Sequence, residues 1–175
     1  MHIVLTVPHS KSVEGGTCTS HIYCDTLATF AAEVFQSILT QKGIRVTVLY
    51  ADINRSQLDL NRYESRTSRF RSQLRNIVTT EKVDFVLDLH SYPPTEMWNL
   101  DYVPDAIFLL DQRNGIDLNK LREITSVPII QGVSNDIMDE MHSFGIASIL
   151  LEVNELKTYD FVARLANAFY LFVTS

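Results

Sequence analysis

The sequence predicts an α/β protein, a three-layer αβα sandwich built on a mainly parallel, mixed sheet. Two observations predict it. Short apolar runs rich in Val, Ile and Leu recur along the chain with little polar alternation, as strands buried on both faces require. Longer segments with apolar residues near a 3.6-residue period lie between them, the alternation that βαβ crossovers produce.

The elements follow in order. Residues 2–7 read as a strand that stops at Pro8. Residues 21–42 read as a helix, with Ile22, Leu27, Phe30, Ala31, Val34, Ile38 and Leu39 along one face and Gly43 just past its end. A strand at 44–50 leads into a loop, 51–63, and a helix at 64–80. The arginines of that helix, Arg66, Arg69, Arg71 and Arg75, read as a solvated face. A strand at 83–89 precedes the long loop 90–104, which contains Pro93-Pro94, Trp98 and Tyr102. Strands at 105–110, 127–131 and 146–153 alternate with helices at 117–124, 135–143 and 157–172, with Asn114-Gly115 marking a turn. His142 falls in the helix at 135–143 and reads as structural. No repeat or linker divides the chain, so residues 1–175 are expected to form a single domain.

Composition narrows the function. A net charge of −6 argues against a generic nucleic-acid binder. No run is long and apolar enough for a membrane helix, and no basic-then-apolar leader is seen at the amino terminus. Cys18 and Cys24 are too few for a disulfide framework, and a reducing, cytoplasmic setting is expected. The expected partner is a small molecule rather than a nucleic acid or a membrane.

The chemistry gathers where apolar runs stop. His9 follows the first strand and His90 follows Val83-Asp84-Phe85-Val86-Leu87-Asp88-Leu89. Ligand sites in open α/β sheets form outside the carboxyl ends of the strands, so two imidazoles delivered there make a candidate metal site. Asp88 is placed to orient one imidazole. A hydrolytic zinc site needs three protein ligands and an open position. Glu14, His21 and Asp25 compete for the third place. His21 is preferred, at the helix start, with Asp25 one turn on as a ligand or its orienting partner. Glu152 lies in Ala147-Ser-Ile-Leu-Leu-Glu-Val-Asn154, a costly place for an unpaired carboxylate. It reads as a general base whose pKa is raised by desolvation. Arg55, Asn61 and Arg62 suit an anionic substrate, with a guanidinium fork for a carboxylate and another for an oxyanion.

Taken together, these segments resemble the N-formylglutamate amidohydrolase family. Val7-Pro8-His9-Ser10 is similar to its VPHSG motif, Arg55-x-x-x-Asp59-Leu60-Asn61-Arg62 to its SRxxxDxNR segment, Asp88-Leu89-His90-Ser91 to D-x-H-S, and Ile149-Leu-Leu-Glu152-Val-Asn154 to its late glutamate motif. All occur in the family's order. The resemblance implies the phosphorylase/hydrolase-like sandwich of the zinc carboxypeptidases and aspartoacylase-like deacylases. It implies one zinc ion on His9, His90 and a ligand near His21, with Arg55 polarising the scissile carbonyl. Asn61 and Arg62 would hold a substrate carboxylate, and Glu152 would act as base and then acid. The expected activity is zinc-dependent cleavage of the amide bond in a small, carboxylate-bearing N-acyl amino acid. A metallocarboxypeptidase using the same residues is one alternative. A non-catalytic binding module is the other, favoured by Ser12 standing where an H-x-x-E pattern has its glutamate.

Overall fold

The computed structural model describes residues 1–11, 25–92, 104–110 and 115–175. The predicted sandwich is present. Its elements are β1 (His2–Val7), α1 (Thr26–Gln41), β2 (Arg45–Tyr50), a 3-10 turn (Tyr63–Thr67), α2 (Arg69–Thr80), β3 (Phe85–Tyr92), β4 (Ala106–Leu110), α3 (Leu118–Thr125), β5 (Ile129–Gln131), α4 (Asp136–Ser143), β6 (Ala147–Asn154) and α5 (Tyr159–Thr174). The sheet runs β2-β1-β3-β6-β4-β5. β1, β2, β3 and β6 are parallel, and β4 with its partner β5 runs the other way against β6. Four carboxyl ends therefore share one edge.

The two faces of the sheet bury different helices. Ile3, Leu5, Val7, Phe85, Leu87 and Leu89 pack with α1, α3 and α5. The intervening Val4 and Val86 pack with Phe70 and Leu74 of α2 and Ile137 and Met141 of α4. Alternate residues of a strand point to opposite faces, so both faces must be apolar, which is why the strands read as continuous apolar runs.

Several expectations change at the element ends, where the chemistry lies. β3 continues past the predicted strand to Tyr92, so His90 stands inside it, in register with Glu152, which lies within β6 as the predicted strand 146–153 has it. The first helix starts at Thr26 rather than 21, because Asp25 is extended, with φ −93° and ψ 95°. Asp25 thus precedes the helix, contrary to the expectation that it lies within it one turn beyond His21. The helix expected over 64–80 is broken at Ser68, whose hydroxyl caps α2 by accepting from the Arg71 amide at 3.2 Å. Gly43 sits at φ +81° past α1, a left-handed position that favours glycine.

The arginine face is a correction. Arg69 is exposed, but Arg66, Arg71 and Arg75 are tied to Asp136 and Glu140 of α4, and Arg71 is wholly buried. His21, Glu14, Cys18, Cys24, Trp98, Tyr102 and Asn114 lie outside the described residues. No helix among the described residues is long and apolar enough to cross a membrane.

Candidate metal centre

β1, β3 and β6 deliver His9, His90 and Glu152 to the shared edge. His9 leaves β1 through Pro8, and its carbonyl accepts from the Asp25 amide at 3.1 Å. That bond carries the start of α1 over the strand ends. Asp25 occupies the N-cap position of α1 without capping it. Its carboxylate turns instead to the imidazoles. Asp25 Oδ2 is 3.2 Å from His9 Nδ1 and 2.7 Å from His90 Nδ1, and it also accepts from the Ser91 amide at 3.4 Å. The rings meet edge to face with centroids 4.8 Å apart. All three side chains are buried, and one ligand atom from each lies within 4.8 Å of the others.

The far side of each ring is also held by a carboxylate. His9 Nε2 is 2.9 Å from Asp59 Oδ1, and His90 Nε2 is 3.1 Å from Asp88 Oδ2. Asp88 is itself fixed by donors from Thr6 Oγ1 at 2.6 Å and Asn135 Nδ2 at 2.6 Å. A carboxylate at Nε2 accepts the ring proton, which leaves the Nδ1 lone pair facing Asp25. Two lone pairs and a carboxylate converging at one point need a positive charge between them, a proton or a cation. This donor set fits a zinc-type ion, with two nitrogens and one oxygen, and imidazoles oriented by carboxylates behind them.

The electrostatics agree with that reading. Burial pushes the Asp25 carboxyl upward, but hydrogen bonds to both imidazoles overcome it and hold it well below the usual carboxylate range. Asp59 behaves likewise through His9. Burial works to lower the His90 pKa, yet the neighbouring Asp88 and Asp25 outweigh it and raise His90 well above its ordinary value. Glu152, paired in register with His90 across β3 and β6, is pushed the other way: burial raises its pKa to about 7.

The substrate-side groups are divided between the centre and its rim. Arg55 lies 3.6 Å from Asp25 Oδ1 and 3.6 Å from Asp59 Oδ2, at the edge of the metal group. Arg62 is 72% exposed, with Nε 3.5 Å from Asp59 Oδ2. Asn61 Nδ2 lies 2.8 Å from His90 Nε2, while Asn61 Oδ1 is buried without a partner among the described residues. An imidazole nitrogen that donates to Asp88 needs an acceptor from Asn61. A half-turn of the amide supplies Oδ1 and leaves Nδ2 as a donor for something else.

The structure thus brings His9, His90, Asp25, Asn61, Arg55 and Glu152 together and sets Arg62 at the rim. His21 and Glu14 lie outside the described residues, and Asp25 stands at the place contested among the three. In the sequence Asp59 stands out only as part of the Arg55–Arg62 motif. Its contact with His9 depends on a turn folding back across β1, and no local signal reports that. Asp59→Asn is expected to weaken zinc binding by about 10- to 100-fold, measured by competition with a chromophoric chelator. Unchanged affinity would remove Asp59 from the site.

No protein-family model matches the chain, and no curated protein does. Solved structures do. The gene product Atu2144 from Agrobacterium tumefaciens superposes with a TM-score of 0.68 at 14% identity, over 99% of this chain and 88% of that one. An N-acetylmuramoyl-L-alanine amidase from Clostridium difficile 630 gives 0.63 at 13% identity, over 99% and 94%. The CwlD amidase from Clostridioides difficile, solved with the GerS lipoprotein, gives 0.62 at 11% identity, over 99% and 96%. At these identities the likeness shows the fold. Two of the three proteins are named amidases, and none of the three is named an N-formylglutamate amidohydrolase.

Proposed function

We propose that the protein is a metal-dependent hydrolase that cleaves the amide bond of a small N-acyl amino acid bearing a carboxylate, N-formylglutamate among the candidates. The observation that carries the reading is the buried His9–Asp25–His90 group with Glu152 on the adjoining strand. Those three residues would hold one zinc ion, which when bound polarises a carbonyl and lowers the pKa of water in its open position.

The chain's own residues supply the rest. Glu152 takes the proton from the attacking water and returns it to the leaving nitrogen. Burial raises the Glu152 pKa above the ordinary carboxylate value, toward the range that suits a group which both accepts and returns a proton. Arg55 offers a guanidinium beside the metal group for charge that develops on the carbonyl oxygen. The Asn61 amide donor and the exposed Arg62 fork hold the substrate carboxylate and fix its orientation.

The test joins metal analysis to a substrate panel. The wild-type protein is expected to hold about one zinc per chain, and a His9→Ala/His90→Ala variant almost none. The zinc-loaded protein is then offered N-formyl and N-acetyl amino acids, a muramoyl-L-alanine amide of the kind the neighbours' names describe, and peptides with free carboxyl ends. Release of an amino acid from the N-acyl compounds is the expected result. Cleavage of peptides alone would move the substrate class to carboxypeptidase. No turnover of any of them by zinc-loaded protein would overturn the hydrolase reading.

A further inference from the structure

We infer that Arg71 is a positioning residue: its guanidinium locks the turn 59–62 and the start of α4 together, and so fixes the side chains that orient His9 and His90. Arg71 is the largest wholly buried side chain among the described residues, and it lies outside the metal group. Its donors go to two segments. Nη1 donates to the Leu60 carbonyl at 3.1 Å and to Ser65 Oγ at 3.4 Å. Nη2 donates to the Asp136 carbonyl at 2.9 Å, Asp136 Oδ2 at 3.0 Å and Glu140 Oε2 at 2.6 Å, and Nε also reaches Glu140 Oε2 at 2.9 Å.

The segments it joins lead directly to the imidazoles. Asp59 and Asn61 flank the Leu60 carbonyl, and they meet His9 Nε2 and His90 Nε2. Asn135 precedes Asp136, caps α4 by accepting from the Met138 amide at 2.9 Å, and donates to Asp88 behind His90. The Asp136 amide closes the arrangement by donating to the Asn61 carbonyl at 3.2 Å. A planar guanidinium can bridge two backbone carbonyls and two carboxylates at fixed angles; an ammonium is a point charge without that geometry. A buried ion pair kept for stability alone would need only the carboxylates. Here the carbonyl contacts are the ones that reach the site.

The inference rests on the hydrolase reading only in that the oriented imidazoles serve a metal. Its test separates the two. Arg71→Met alone strips Glu140 Oε2 of its guanidinium, with Arg75 remaining on Oε1, and risks misfolding. Arg71→Met/Glu140→Met removes both charges; Asp136 keeps its bonds to Arg66, and Arg75, which loses Glu140, keeps its bonds to the Arg66 carbonyl and Ser72 Oγ. The double variant is expected to melt near the wild type. In metal-free protein, the Asn61, Arg62 and Asp136 amides should exchange about tenfold faster or more. Its zinc affinity should fall by about 10- to 100-fold. Arg71→Lys should restore the charge but not the slow exchange. Wild-type exchange rates in a folded double variant would overturn the inference. Lack of zinc binding by the wild type would sink the hydrolase reading, while the exchange rates would still decide the role of Arg71.

Discussion

Replacing Glu152 by Gln is expected to lower kcat by about 10²- to 10⁴-fold, the range a positioned proton-transfer group contributes, with zinc uptake unchanged. Glutamine keeps the shape and a carbonyl oxygen but cannot accept the proton of the attacking water. The wild-type profile of kcat/KM should rise with pH as Glu152 ionises, at a pH that bound zinc sets below its metal-free value, and the residual activity of the variant should lack that rise. A second readout needs no substrate. The pKa of Glu152 is raised in the folded protein from its ordinary 4.5 to about 7. Its neutral form is therefore favoured by folding. That contribution is fully present below pH 4.5 and is lost as pH rises through 7. Between pH 5 and 8, metal-free wild type should lose about 2 kcal/mol relative to Glu152→Gln, seen in denaturant titrations at both pH values. Near-normal turnover in the variant would remove Glu152 as the base. Parallel stability profiles would place its carboxyl in water.

Asp25→Asn is expected to have the largest effect on the metal. One carboxylate oxygen meets both Nδ1 atoms, so the substitution removes a negative ligand from the middle of the group. Zinc affinity should fall by more than the roughly 100-fold that loss of an orienting partner costs. An amide nitrogen turned toward either imidazole would repel the ion, and its oxygen is a weaker donor than a carboxylate. The substitution also acts on His90, whose raised pKa owes part of its shift to Asp25. A raised histidine pKa contributes stability that is present below 6.5 and lost as pH climbs through the folded value. The Asp25→Asn protein should therefore show a smaller fall in stability over that window, compared by thermal melts from pH 6 upward. Retention of one tightly held zinc by Asp25→Asn would move the third ligand elsewhere.

Much of this site was legible because its groups interrupt apolar strands. His9, His90 and Glu152 stand where runs of Val, Ile and Leu meet a polar residue, and the topology sends those ends to one edge. Asp25 was ambiguous, since a helix start read from apolar period alone fell several residues early. The extended backbone at Asp25, tied to the His9 carbonyl, is a tertiary contact that periodicity does not report. The partners of Arg71 on α4 lie 65 and 69 residues away, a separation that no local pattern reports. One local signal was available: Arg71 stands three residues before Leu74 and one after Phe70, along the helix's apolar stripe rather than opposite it.

The parallel pairing of β1 with β3 also bears on how the chain reaches its native state. Thr6 lies beside Asp88 in that ladder, so His9 and His90 meet only after a loop of some eighty residues has closed. Closing such a loop costs entropy before any contact repays it, and parallel pairings of this span form slowly. The imidazoles are therefore scattered in the early ensemble and assembled near the end. A metal ion held by them would act after the folding barrier rather than before it. Occupancy would slow escape from the native basin and lengthen its lifetime, while the rate of reaching that basin would stay a property of the sheet.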